Sequence, residues 1–373
     1  MKKIRKYPFS IIMFALVFGM FFISVIKKDT KFSELENRYL TTKPRFTLSG
    51  FIDSSYGDEY ERYINEQFPF RNDWITTKAN TEYLLGKAEN NGVIKGKNNY
   101  LFNKQLSIDK QLQKNIKAIK AFAKQSDIDI SLSVVPNSYD VLKKYVPFGA
   151  PNVDQEASII DSYDQLQGIN NLKLIPLHTI LKEHSDEYIY YRTDHHWTSL
   201  GAYYGYLQYC KEQEIEPIQL EALKANHIPD FYGTYYSKYK GAFINSDEIT
   251  YYDIPIDKML VEGQETHSLY DMDKVKTRDK YAMFMHGNPS LSIIYSEKSE
   301  VNAGKKLLII KDSYANSMIP FLTYNYEEIY VVDLRYFGES VSDLIKKHEI
   351  DSVFILYNYD TLMTDNHFYR LSR

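Results

Sequence analysis

The sequence predicts an α/β domain, a sheet with helices packed on it, carried on a single membrane-spanning helix. Two observations predict it. From residue 128 onward, short apolar runs at 128–135, 172–176, 307–310, 328–332 and 352–357 alternate with helix-compatible stretches, and alternation of this kind builds a sheet with helices laid against it. Ahead of them, residues 8–26 contain no charged side chain. At about 1.5 Å per residue, such a run nearly spans the roughly 30 Å of bilayer hydrocarbon.

In chain order, residues 1–29 read as a cytoplasmic tail and transmembrane signal anchor. Lys2, Lys3, Arg5 and Lys6 precede the apolar run, which favours an N-terminus in the cytoplasm and the remainder outside the cell membrane. The run stops at Lys27-Lys28-Asp29-Thr30 with no small-x-small cleavage site, so an uncleaved anchor fits better than a removed signal peptide. Residues 30–90 read as a stalk and helical entry segment. Its second half carries Tyr60, Tyr63, Ile64, Phe68, Trp74, Ile75 and Tyr83 at mostly helical spacing, broken at Pro69. Residues 91–373 are read as the main domain. It opens on a hairpin-like stretch over 92–102, where Gly and Asn supply the turn. A helix over 109–124 follows, with apolar residues at Leu112, Ile116, Ile119 and Phe122, and helices over 156–167 and 340–348 interleave with the apolar runs. Residues 226–300, rich in Tyr, Gly, Asn and Asp, read as long loops or a small β insertion apart from the sheet core.

Composition narrows the function classes. With 45 Lys+Arg against 49 Asp+Glu, nothing points to a polyanion partner such as nucleic acid. The 34 tyrosines suit sugar stacking, and equally suit half-buried strands. Cys210 is the single cysteine, which excludes an intrachain disulfide and a multi-cysteine metal site and leaves it as a small buried hydrophobe.

Chemistry concentrates in two segments. Asp194-His195-His196-Trp197 sets two histidines beside a carboxylate, and Lys311-Asp312-Ser313-Tyr314-Ala315-Asn316-Ser317 follows an apolar run. In an open α/β sheet, ligands sit beyond the carboxyl ends of the strands. Ser313 falls three residues past such a strand, where backbone N–H groups can meet a developing oxyanion; a helix N-cap is its other reading. A serine hydroxyl needs an adjacent base, and the base needs a third group to orient it. Residues two apart in an extended or tight-turn backbone face one side. Asp194 is therefore expected to hold the imidazole of His196, with His196 as the base for Ser313. His195 is expected to point elsewhere, in a structural or supporting role. Zinc on His195 and His196 is the competing chemistry, but adjacent histidines are expected to point apart and no further ligand pattern appears. No metal and no cofactor is expected. Trp197, Tyr191, Tyr314, Tyr232, Tyr235 and Tyr236 could stack on sugar rings or belong to the core. Arg192 and Arg335 suit either an acidic sugar or structural ion pairs.

Tyr191-Arg192-Thr193-Asp194-His195-His196-Trp197-Thr198 resembles the signature of the DHHW protein family, which is similar to the alginate O-acetyltransferases. The resemblance extends through Phe32-Ser33-Glu34-x-Glu36-Asn37-Arg38, Phe68-Pro69-Phe70-Arg71, Val134-Val135-Pro136-Asn137, His286-Gly287-Asn288-Pro289, the Ser313 segment and Val332-Asp333-Leu334-Arg335-Tyr336. It implies an SGNH-hydrolase-like three-layer α/β sandwich in permuted order, with Asp-x-His ahead of Ser. By the same resemblance, Ser313 is the nucleophile, His196 the base, Asp194 its orienter, and Gly287 and Asn288 the oxyanion donors. The family often has two glycines before that asparagine, and His286 stands in place of the first. The resemblance further implies transfer of acetyl groups to an exopolysaccharide or cell-wall polysaccharide, with a multispanning membrane acyltransferase supplying them. A polysaccharide acetyl-esterase using the same triad and a non-catalytic polysaccharide-binding scaffold are the alternatives.

Overall fold

The computed structural model describes residues 7–372, so the basic cluster Lys2, Lys3, Arg5 and Lys6 lies outside the described residues. The chain divides into two units, one running to Asn90 together with Ser237–Ala242, the other comprising Asn91–Tyr236 and Phe243–Arg373. The first contains α1 (Pro8–Ile26), 19 residues whose most apolar 18-residue stretch has a mean hydropathy of 2.7 and which bury no side chain. That helix is long and apolar enough to be a membrane anchor or a signal sequence. It is followed by α2 (Ser55–Gln67) and α3 (Arg71–Leu84). Pro69 separates the two helices by holding Phe68 extended, at ψ 136°. Residues 30–41 are pinned by Gln67, whose side chain bonds Thr30 N at 2.9 Å and the carbonyls of Thr30 and Thr41 at 3.0 Å. Glu36 takes ion pairs from Arg71 at 2.9 Å, from Arg38 at 2.8 Å and from Lys240, joining two of the sequence motifs.

The second unit is built on one mixed eight-stranded sheet. Its elements are α4 (Gln111–Gln125), β1 (Asp129–Val135), α5 (Gln155–Asp164), β2 (Leu172–Leu174), α6 (Ser199–Gln213), β3 (Ile256–Val261), β4 (Gln264–Thr266), β5 (Leu291–Ser296), β6 (Lys306–Lys311), β7 (Glu328–Val332), α7 (Val341–His348) and β8 (Ser352–Asn358). The strand order is β4-β3-β5-β7-β6-β8-β1-β2. The five strands from β7 to β2 run parallel, and β5, β3 and β4 extend that sheet antiparallel.

Alternating side chains explain why the parallel strands read as near-continuous apolar runs. Leu307 and Ile309 pack with Ala202, Tyr206 and Tyr209 of α6 and with Ile319 and Leu322. Leu308 and Ile310 pack with Ile116 and Phe122 of α4, Tyr163 of α5 and Val341 and Leu344 of α7. Both faces are covered, so both sets are apolar. Cys210 is buried in the first cluster.

The structure corrects the reading of residues 226–300. Only Ala225–Phe231 and Asp247–Tyr252 form a separate hairpin, whereas β3, β4 and β5 belong to the main sheet. Their apolar stretches are short, Met259-Leu260-Val261 in β3 and Ile293-Ile294-Tyr295 in β5 with none in β4, and polar residues flank each, so they lack the longer run that marks a strand buried on both faces.

Candidate active site

The connection after β6 passes through Ile319–Leu322 on one face of the sheet, and α7 joins β7 to β8 on the other. Strand order therefore reverses around β6, and its carboxyl end opens at a topological switch point, the place where α/β sheets bind ligands. A single 3₁₀ turn, Ser313–Ser317, follows β6. Its cap is Asp312, which accepts from Tyr314 N at 3.0 Å and, through its other oxygen, from Asn358 N at 2.9 Å at the end of β8. With Asp312 as the cap, the Ser313 hydroxyl is spared that duty and lies 2.8 Å from His196 Nε2.

His196 reaches this position from a tight turn ahead of α6. Asp194 Oδ1 accepts from the His196 backbone N at 3.1 Å, an Asx turn, and from His196 Nδ1 at 2.5 Å. Asp194 Oδ2 accepts from Thr234 N at 2.7 Å and Thr234 Oγ1 at 3.0 Å. Tyr190 ties the turn to the end of β1 by donating to Pro136 O at 2.7 Å. Behind the turn, Asp247 accepts from Arg192 N at 3.0 Å, from Thr193 N at 2.7 Å and from Thr193 Oγ1 at 2.6 Å. The His196 ring lies flat on Tyr281, with centroids 3.7 Å apart and planes 12° apart. Tyr281 OH in turn donates to Ser313 O at 3.1 Å.

Burial governs the protonation states. Desolvation, reinforced by the charge of His195, pulls His196 down to about 4 despite the opposing pull of Asp194. For Asp194, burial would raise the carboxyl, but His195 and His196 outweigh it and hold the group well below the usual range. At neutral pH the site therefore holds a carboxylate, a neutral imidazole and a serine hydroxyl in one line of hydrogen bonds. This is the arrangement in which a serine becomes a nucleophile.

Other expected residues are placed differently. The Asx turn brings the His195 and His196 rings together, centroids 3.8 Å apart and planes tilted by 38°, instead of sending them to opposite sides. His195 Nδ1 meets Thr234 Oγ1 at 2.7 Å. Trp197 and Tyr314 are core residues at 0% and 1% exposure, so neither can stack on a sugar. Trp197 Nε1 donates to Tyr314 O at 2.8 Å, and Tyr314 OH donates to His195 O. Tyr191 and Tyr235 are likewise buried. The Arg192 guanidinium lies over the Tyr188 ring at 4.5 Å, and Arg335 grips Asp333 through two nitrogens at 2.9 and 2.6 Å. Gly287 has φ +87°, but its N–H already donates to Phe284 O at 3.0 Å, so it has no donor left for an oxyanion. Asn288 stays available. The Ser313 N–H, at the start of its turn, donates to no acceptor among the described residues.

Two groups of side chains have ligand atoms close enough to share a metal ion, Asp194 with His195 and His196, and Asp140 with Glu156 and His178. In the first group the ring nitrogens of His196 are engaged by Asp194 and Ser313. In the second, His178 Nε2 meets Asp140 at 2.8 Å and Lys143 occupies the other Asp140 oxygen at 3.1 Å, so it is an ion-pair network.

Residues 124–332 match the sequence profile described as DHHW protein, a span that contains both Asp194-His195-His196-Trp197 and Ser313. The chain belongs to the DHHW protein family. Among solved structures, this DHHW protein is similar to a DHHW family protein from Eubacterium siraeum at 26% identity and a TM-score of 0.65, over 76% of this chain and 96% of that one. It is similar in fold to Bacillus cereus PatB1 with a sulfonyl adduct, at 17% identity and a TM-score of 0.61, over 74% and 97% of the two chains. The O-acetyltransferase domain of Pseudomonas putida AlgJ aligns at 15% identity and a TM-score of 0.47, over 74% and 93%. No curated protein sequence matches the chain significantly.

Tyr281, Gly233, Thr234 and Lys311 lie against the site residues and are not singled out by the sequence: Tyr281 stacks on His196, Gly233 and Thr234 lie against Asp194, and Lys311 bonds Asn288. For Lys311 a signal existed, a lone charge closing the run Leu307-Leu308-Ile309-Ile310. Tyr281, Gly233 and Thr234 sit in loops whose pairing with the turn has no local signature.

Proposed function

We propose that this DHHW protein is an extracytoplasmic O-acetyltransferase that moves acetyl groups onto an exopolysaccharide or cell-wall polysaccharide through a Ser313 acyl-enzyme, on an SGNH-like framework in permuted order. The observation that carries the reading is the unbroken hydrogen-bonded line from Asp194 through His196 to Ser313, with the capping duty taken by Asp312. His196 takes the Ser313 proton as Oγ forms its bond to the acetyl carbonyl carbon, and returns it to the departing group when the original ester bond breaks. The acceptor hydroxyl then loses its proton to His196 and attacks the acyl-enzyme, and that proton ends on Ser313 Oγ. The Ser313 N–H and the Asn288 amide supply donors for the oxyanion, a contribution of about 10²–10³-fold per donor in acyl transfer. Acetyl-CoA is cytoplasmic, so a multispanning membrane acyltransferase is the proposed donor, and α1 is the proposed single-pass anchor.

The test supplies the purified full chain, in detergent micelles, with an activated acetyl ester, with and without an oligosaccharide acceptor. Acetylated sugar and a Ser313 acetyl adduct seen by mass spectrometry are expected, both lost in Ser313→Ala. Free acetate with no acetylated sugar would make it an esterase. Wild-type behaviour of Ser313→Ala would sink both enzyme readings.

A further inference from the structure

Lys311 closes β6 two residues before Ser313, and its side chain is fully buried. Its short contact is to an amide: Nζ lies 2.8 Å from Asn288 Oδ1. The nearest carboxylate oxygen, on Asp333, is 4.0 Å away, and that carboxylate is already held by Arg335 through two bonds. Asp333 thus stands at the outer limit of an ion pair and is shared with Arg335, while burying an ammonium costs several kcal/mol of desolvation, so ion pairing alone does not account for Lys311.

An ammonium has donors and no acceptor. It can face only the oxygen of the Asn288 carboxamide, and this removes the two-fold ambiguity of an asparagine side chain. Asn316, in the turn that Ser313 begins, adds a second donor to the same oxygen at 3.2 Å and also bonds Gly287 O at 2.9 Å. Both acceptor positions of Asn288 Oδ1 are filled. Its Nδ2 has no acceptor among the described residues and is left as a directed donor.

We propose that Lys311 is a positioning residue: with Asn316 it locks the Asn288 carboxamide oxygen inward and turns the amide N–H toward the oxyanion formed at Ser313. The inference rests on the reading of Asn288 as an oxyanion donor. Burial brings Lys311 down to about 8, within reach of an ordinary pH profile. Once it loses its proton, the amine gains a lone pair that can accept from Nδ2, and the orientation of Asn288 is no longer enforced. The Lys311 charge also acts on His196, whose proton affinity it lowers.

The experiment compares wild type, Asn288→Ala, Lys311→Met and the double variant as full chains in micelles, with an activated acetyl ester. Loss of one oxyanion donor lowers kcat about 10²–10³-fold. Each single variant is expected to show a loss of that size with KM little changed, and the double variant no further loss, because the two residues act as one unit. Lys311→Met should also raise the acid limb of the pH profile and abolish the alkaline limb near pH 8. If Asn288→Ala stays within about threefold of wild type, the reading of Asn288 fails and the inference falls with it. If Asn288→Ala is crippled while Lys311→Met is not, or if the losses multiply in the double variant, the positioning role alone is refuted. Should Lys311→Met not fold, the wild-type profile still decides: a kcat that is flat between about pH 7 and 10 overturns the proposal.

Discussion

Gly233 leaves no room for a side chain against the carboxylate hydrogen-bonded to His196. A Cβ at this position would lie 2.2 Å from both Cβ and Oδ2 of Asp194 and 2.5 Å from its Cγ. Carbon atoms in ordinary contact stand about 3.5 Å apart, so Gly233→Ala forces a displacement of about 1.3 Å. Asp194 Cβ is rooted on the backbone, so a rotation of the carboxylate cannot relieve the clash. Moving either partner lengthens the 2.7 Å bond from Thr234 N or the 2.5 Å bond to His196 Nδ1. A misplacement of about 1 Å in a catalytic array costs about 10²-fold, and complete loss of the orienting carboxylate about 10⁴-fold. The expected fall in kcat/KM for Gly233→Ala is therefore between about 10² and 10⁴. Overpacking should also remove about 1–3 kcal/mol of stability. Hydrolysis of an activated acetyl ester gives the first quantity, and thermal melting of the full chain in micelles gives the second. Activity within about threefold of wild type at unchanged melting temperature would refute the claim that close approach of Gly233 fixes Asp194.

Two further expectations complete the set. His196 must be neutral to act as a base and is pulled down to about 4 by burial and by His195; activity should thus persist at mildly acidic pH and fall only as pH drops through about 4. An acid limb near 6.5, the value of a free imidazole, would contradict this. Trp197→Phe loses the bond to Tyr314 O and leaves space beside Gly205, whose Cβ would lie 2.9 Å from the indole. It should cost about 1–3 kcal/mol of stability and leave the KM for the sugar acceptor unchanged. A raised acceptor KM with unchanged melting would return Trp197 to the sugar-binding surface.

What could be read in advance follows from where each signal resides. The strands β6, β7 and β8 announced themselves because burial on both faces demands continuous apolar runs, and β1 by its apolar residues alternating with Ser131 and Ser133. The antiparallel strands β3, β4 and β5 did not, since their apolar stretches of three residues or fewer sit among polar residues as those of a surface hairpin do. Helix α6 escaped notice because its buried face is made of tyrosines, Tyr203, Tyr206 and Tyr209, with little apolar contrast against its other side. That Asp194, His196 and Ser313 would meet was legible, since nucleophile chemistry needs those residue types in reach of one another. The close approach of His195 to His196 was not, because it depends on an Asx turn closed by tertiary contacts. Nor was the loss of Gly287 as a donor, which hinges on a single backbone bond to Phe284. Trp197 and Tyr314 mislead for a general reason: an aromatic next to a catalytic motif has the same sequence appearance whether it meets solvent or fills the core.

The place of β8 in the sheet bears on how the protein comes into being. This strand lies between β6 and β1, and neither pairs with the other without it. Asn358, at its end, holds Asp312 and also bonds Val135 O at 3.0 Å. Until residues 352–358 have left the ribosome, the strand bearing the nucleophile and the strand that anchors the histidine turn are separate pieces. Folding must wait for contacts that span more than half of the chain, which slows it. A chain still being made, or one cut short before β8, would thus carry Ser313 without a formed site. The hydrogen-bonded line from Asp194 through His196 to Ser313 is assembled only once this segment has been made.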